Sequence, residues 1–210
     1  MKEVLGITSM SGNKAVTIGR PRAFNAERAL DRALEVFWRK GYEGATLCDL
    51  TGAMGINPPS LYAAFGNKEG LFRKALDRYW RLRTALWNEA LAAPTARRAA
   101  ERLLRGTAKF LSDPCHPKGC LTVHGALVSG EESDCIRQEL ERRRSTSQAA
   151  IRQRLKRAKR EGDLPADADA AALARFLATV MEGMAVQAAG GASRKELDRV
   201  ADTALRAFPK

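Results

Sequence analysis

The sequence predicts an all-α protein of about nine helices, a three-helix N-terminal unit followed by a larger helical unit. Three observations predict it. Apolar residues recur at three- and four-residue spacing in one segment after another, and no alternating run is sustained long enough for a strand. All but the short sixth segment open at Ser, Thr, Asn or Asp, and the segments close at Gly or Pro, the residues that cap and stop helices. Hydrophobic residues make up 45% of the 210, enough for a packed core.

Met1 to Gly19 shows no periodicity and reads as a flexible tail, followed by the cations Arg20 and Arg22 around Pro21. Asn25 caps a helix to about Lys40, with Leu30, Ala33, Leu34 and Phe37 on one face and Gly41 as its stop. Thr46 opens a second helix that Gly55 ends after Met54. Asn57 caps a third, with Pro58 at the first helical position, where a missing N–H costs nothing. Asn67 caps a fourth from Lys68 to about Leu91, stopped by Pro94. A fifth runs from Thr95 to about Leu111, and a short sixth from Cys120 to Val128. The seventh, Asp134 to about Glu161, is long and densely charged. Asp167 opens the eighth, to about Ala189, and Ser193 the ninth, to about Phe208.

Lysine and arginine total 36 against 24 acidic residues, a net charge of +12. That excess attracts polyanions, nucleic acid before an anionic membrane. The most apolar stretch, Ala170 to Ala192, is mostly alanine and is broken by Arg175 and Glu182, so no membrane span is expected. With no secretory leader and four cysteines in no dense pattern, a cytoplasmic protein with reduced thiols is expected. Gly6 to Lys14 fails as a phosphate-binding loop in spacing and in flanking elements. Neither a nucleophile elbow nor a dinucleotide fingerprint nor an acid pair is present, so the chain is read as a non-enzyme with no cofactor.

The informative segment is Thr46 to Lys68, two short helices meeting at Gly55, the pattern of a helix-turn-helix. Leu47, Leu50, Met54, Ile56, Leu61 and Phe65 would pin it to the first helix. The second short helix would then stand outward with Asn57, Pro58, Pro59 and Ser60 in its first turn, suited to base edges in a major groove. Tyr62, Lys68 and the helix N-terminus at Thr46 are candidates for phosphate contacts. Arg20 and Arg22 are candidates for an arm in a minor groove.

Thr46, Leu50, Gly55, Ile56, Ser60-Leu61-Tyr62, Phe65, Lys68-Glu69 and Leu71 together resemble the signature of the TetR/AcrR family of bacterial regulators. Phe37-Trp38 followed by Gly41-Tyr42 is similar to the family's first-helix ending. The motifs span about Arg20 to Leu76; beyond them only helix number, length and Gly119-Cys120-Leu121 agree. The resemblance implies a nine-helix homodimer joined through its last two helices, a ligand pocket in the C-terminal unit, and release of double-stranded operator DNA by a small-molecule effector. It implies a boundary near residue 66, with residues 20–66 as the DNA-binding unit and 67–210 as the ligand and dimer unit. Ala63 and Ala64 depart from the family's aromatic and histidine, and Thr51 from its alanine.

Leu173, Leu177, Val180, Leu197, Val200, Ala204 and Leu205 are the candidates for the dimer face. Trp80, Trp87, Phe110, Cys120, His124, Phe176, Met181 and Met184 are the candidates for the pocket, although each also fits an ordinary core position. Two alternatives remain open at this point. Cys115, Cys120 and His124 could form a thiol or metal sensor, the thiol activated by the nearby His and Lys118. Charge alone could make a non-specific architectural DNA-binding protein.

Overall fold

A computed structural model describes residues 25–127 and 133–209, the side chains of 125–127 excepted. Every predicted helix is present among them: α1 (Ala26–Gly44), α2 (Leu47–Met54), α3 (Pro58–Phe65), α4 (Lys68–Leu91), α5 (Ala96–Leu111), α6 (Leu121–Leu127), α7 (Asp134–Arg160), α8 (Ala170–Ala189) and α9 (Arg194–Ala207). The expected tail, Arg20 and Arg22 lie outside the described residues.

The caps are where the sequence places them. Asn25, Asn57, Asn67, Thr95 and Ser193 each accept a backbone N–H from three residues on. Asp169, two residues later than expected, accepts two at the start of α8. Gly41, at φ 73° and ψ 179°, breaks α1 after Lys40, so its last residues turn away from the main axis. Gly55 ends α2 at φ 68° and ψ 36°, a left-handed conformation that a side chain would oppose.

α1 packs on α2, α4 and α6, and α3 is held between α2 and α4. Phe37, Leu50, Leu61, Leu71 and Phe72 are fully enclosed in this N-terminal core. Behind it, α5 packs on α4, α8 and α9, and α7 on α6 and α8. α4 belongs to both parts. Its Arg78 binds Asp31 at 2.9 Å and Glu27 at 3.1 Å on α1. A second tie is buried: the Trp38 indole N–H of α1 donates to the Gly119 carbonyl at 3.1 Å. Trp38 also lies against the rings of Tyr79, Phe110 and His116, with centroids 4.6 to 5.6 Å apart. Among the described residues no helix is long and apolar enough to cross a membrane.

Candidate nucleic-acid interface and effector pocket

The first turn of α3 is exposed throughout: Asn57, Pro58, Pro59 and Ser60 all face solvent, and Tyr62 is 46% exposed. The opposite side is anchored, with Leu61 at 0% and Phe65 at 8% exposure. The helix therefore presents one edge and buries the other, as a reading helix must. Asn57 Oδ1 accepts the Ser60 N–H at 2.9 Å, which fixes the side chain with its amide N–H2 free to donate outward.

Thr46 is partly committed to its own fold. Its hydroxyl accepts the Asp49 N–H at 3.1 Å and donates to Asp49 Oδ2 at 2.8 Å, a closed capping box. Asp49 is in turn bound by Lys40 at 2.6 Å. Hydrogen bonds from Lys40 and Thr46 hold the Asp49 carboxyl at about 2. The hydroxyl expected at a phosphate is thus engaged, as are the N–H groups of Thr46 and Asp49, and those of Leu47 and Cys48 remain. Lys68 is half-buried, 4.7 Å from the Tyr42 ring centroid and 3.5 Å from the Glu43 carbonyl. Burial lowers its pKa against the opposing pull of Glu43. Thr51 fits within the motif by returning its hydroxyl to the Leu47 carbonyl at 2.8 Å.

The C-terminal unit holds a cavity of about 50 Å³ between α4, α5, α7 and α8. Of the candidates, Trp80, Trp87, Cys120 and Met181 line it. Phe110 lines a smaller recess beside it, together with Arg83 and Trp87. Three candidates are corrected. Met184, 1% exposed, is core, and Phe176 packs half-buried against that core; neither reaches the cavity. His124 lies against Gly119 instead, so close that a Cβ there would stand 2.5 Å from the ring. Residues the sequence reading missed complete the lining: Arg83, Thr107, Thr122, Arg144, Gln148 and Glu182 among them. A second recess of about 200 Å³ adjoins, sharing Trp80, Arg83, Trp87 and Ser147.

Cys120 is 5% exposed and its sulfur is well partnered. Tyr79 Oη is 3.1 Å away, Thr122 Oγ1 3.0 Å and Arg83 Nη1 3.8 Å. Burial pushes the thiol up, but the Arg83 charge and hydrogen bonds from Thr122, Tyr79 and the Val123 N–H outweigh it, and the net shift is downward. The activating cation is therefore Arg83. Lys118 is exposed, and burial lowers the pKa of His124. The metal reading fails on placement: no group of three His, Cys, Asp or Glu among the described residues is arranged to hold an ion, Cys115, Cys120 and His124 included.

The dimer candidates divide. Leu177 at 0%, Leu197 at 1%, Ala204 at 5% and Leu205 at 8% exposure belong to the subunit's own core, which corrects their assignment to a partner surface. Leu173 and Val180 are half-buried and Val200 is 41% exposed.

Two family models cover most of the chain: the bacterial regulatory proteins of the tetR family over residues 29–75, and the tetracyclin repressor-like C-terminal domain over 98–204. The chain belongs to the TetR family. It is 35% identical over 195 residues to the HTH-type transcriptional repressor ComR of Escherichia coli, covering 91% of this chain and 92% of that protein. Among solved structures it is similar to a cysteine mutant of the TetR family regulator CifR complexed with 26-bp double-strand operator DNA. That likeness has 47% identity and a TM-score of 0.86 over 90% of this chain and all of that one. A putative TetR regulator from Rhodococcus is 43% identical over 87% of this chain and 98% of that one, with a TM-score of 0.61. This TetR chain is thus a helix-turn-helix DNA-binding transcriptional regulator.

Proposed function

We propose that the protein is a homodimeric repressor that binds a palindromic operator through residues 20–66 and is released when a small molecule occupies the cavity of residues 67–210. The observation that carries this is α3: an exposed Asn57–Ser60 turn on a helix whose far side is sealed by Leu61 and Phe65. Pro58 and Pro59 supply apolar contact to thymine methyls, and the Asn57 amide supplies a donor for a base-edge acceptor. Tyr62, the N-terminus of α2 and Lys68 meet phosphates, and Arg20 and Arg22 form an arm in the adjoining minor groove. The operator-bound CifR structure, at 47% identity, and the repressor ComR support the DNA reading.

Two copies joined along α8 and α9, where Leu173, Val180 and Val200 remain accessible, place two α3 helices about 34 Å apart or a multiple of it. Footprinting on DNA upstream of its own gene tests the proposal. A protected palindrome, bound by two chains, is expected. Tyr62→Ala should weaken binding alike on all sequences, whereas Asn57→Ala should change sequence preference. Uniform protection with no preferred site would refute the repressor reading in favour of an architectural one.

A further inference from the structure

The cavity of the C-terminal unit is charged in a way that its apolar walls do not require. Its lining carries two cations, Arg83 and Arg144, and one acid, Glu182, so with the Cys120 thiol neutral the wall holds one net positive charge. Arg83 and Trp87 line the cavity and both adjoining recesses. Arg83 forms no ion pair among the described residues, and its Nη1 stands 3.8 Å from the Cys120 sulfur, a long contact. The rings of Phe110, Tyr79 and Trp87 surround its guanidinium at 5.4 to 5.9 Å. Ring faces attract the charge but leave the planar fork of N–H donors for an oxygen acceptor. Arg144 spends Nη1 on the Thr122 carbonyl at 2.8 Å and is likewise without a carboxylate among the described residues. Other arginines of the same two helices are neutralised: Arg78 by Asp31 and Glu27, Arg142 and Arg143 by Glu139. The two that face the cavity are not, and an enclosed cation without an anion is costly.

We propose that this cavity is a reversible binding site for a flat monocarboxylate, an aromatic acid of one or two rings, held by Arg83 and Arg144. The inference rests on the reading of the cavity as the effector site. A carboxylate presents two oxygens in one plane, the match for two parallel N–H groups of a guanidinium. The ring lies along Trp80 and Trp87, which also wall the adjoining recess of about 200 Å³. The wall's charge sets the valence of the guest. One negative charge neutralises it. A second would face Glu182, which is half-buried and has no cation partner among the described residues. A neutral amide of the same shape would leave both arginines uncompensated. α4 carries the effect outward, because the helix that holds Arg83 in the cavity also holds α1 through Arg78, and α2 packs on α1.

The test is titration calorimetry on the full chain at about pH 7 with benzoate and 2-naphthoate, each beside its carboxamide, and with terephthalate as the dianion. At least one of the two acids should bind about tenfold or more tighter than its amide, and terephthalate should bind more weakly than benzoate. Arg83→Lys keeps the charge but loses the fork, and should weaken the acid by about fivefold or more. Arg144→Gln should do the same at a half-buried position outside the aromatic cage, which keeps the test decisive if Arg83→Lys disturbs the fold. Glu182→Gln should act in the opposite direction, tightening the acid by about threefold or more and narrowing the gap to terephthalate. Failure of both acids to bind, amides that bind as well as acids, or an affinity that neither arginine variant changes overturns the proposal. An operator gel shift on the same samples separates this from the wider reading. A site filled by the acid with operator still bound supports the carboxylate site and refutes its role as effector site. If the chain shifts no operator at all, the repressor reading fails by itself, while the calorimetry still decides the chemistry.

Discussion

Replacing Trp38 by Phe tests the buried tie between the N-terminal helices and the rest of the chain. The substitution keeps a ring in place but removes the indole N–H that reaches Gly119 at 3.1 Å. The Gly119 carbonyl is then buried with no replacement donor, which costs about 1–3 kcal/mol. The missing ring atoms open a void beside Tyr79, Phe110 and His116, adding about 1 kcal/mol, well below the figure for truncation to Ala. Together the loss is about 2–4 kcal/mol, and with 2–4 °C per kcal/mol in a chain of this size the melting temperature falls by roughly 5–15 °C. Urea unfolding at one fixed protein concentration measures it, because a dimer's midpoint moves with concentration. The midpoint should fall with the slope unchanged. Trp80→Phe, at a half-buried cavity wall, should cost less. A loss under about 1 kcal/mol for Trp38→Phe would refute the buried bond as a structural tie.

Three further changes have clear signs. Thr46→Ala opens the capping box of α2 and should cost about 1 kcal/mol, read from the urea midpoint, with weaker operator binding in a gel shift. Gly119→Ala sets a Cβ 2.5 Å from the His124 ring at a backbone φ of 86°, so the urea midpoint should drop by an amount worth about 1–3 kcal/mol. Glu139 gives a pH dependence. Hydrogen bonds from Arg142 first, and from Arg143, hold its carboxyl at about 2 against the burial that opposes them. Its contribution is therefore complete above the ordinary value of 4.5 and is lost as pH falls toward 2. Glu139→Gln should flatten the decline in urea midpoint between pH 5 and about 2; an unchanged decline would show that Glu139 contributes nothing to it.

The helices were legible because their ends are written in local chemistry. Asn25, Asn57, Asn67 and Ser193 bond backbone N–H groups three residues ahead, a range that a linear reading can see. The cavity was half legible for the opposite reason. Trp80, Trp87 and Met181 stand out as apolar residues at helical spacing, but Arg83, Arg144 and Glu182 look like solvated faces of charged helices. Arg83 is enclosed only because Phe110 arrives from α5 and Cys120 from the turn before α6, a juxtaposition that sequence separation hides. Four of the seven dimer candidates, Leu177, Leu197, Ala204 and Leu205, were misplaced in the same way. An amphipathic helix shows that it has a buried face, not whether its own chain or a second copy covers it. Leu177 and Leu197 are covered by their own chain.

The DNA-contact candidates carry a conflict that the sequence did announce. Thr46 with Asp49 three residues on is a capping-box pattern, and Asn57 sits at a helix start, so both side chains had a local use before any nucleic acid approached. A group that caps a helix is held rigidly, and its remaining capacity points in a fixed direction. Asn57 commits one lone pair of its oxygen to the Ser60 N–H, which fixes the side-chain orientation and points its amide N–H2 outward as the donor toward a purine N7 or a carbonyl oxygen. At Thr46 the hydroxyl and the N–H groups of Thr46 and Asp49 are all engaged in the capping box, which leaves the Leu47 and Cys48 N–H groups at the start of α2. On the proposed reading, sequence choice falls mainly on the shape of the Pro58–Pro59 turn and on the Asn57 amide, and affinity on Tyr62 and the helix N-termini. A head built this way loses stability when its readers are mutated, so any change in operator affinity at Thr46 or Asn57 must be measured beside the urea midpoint of the same variant.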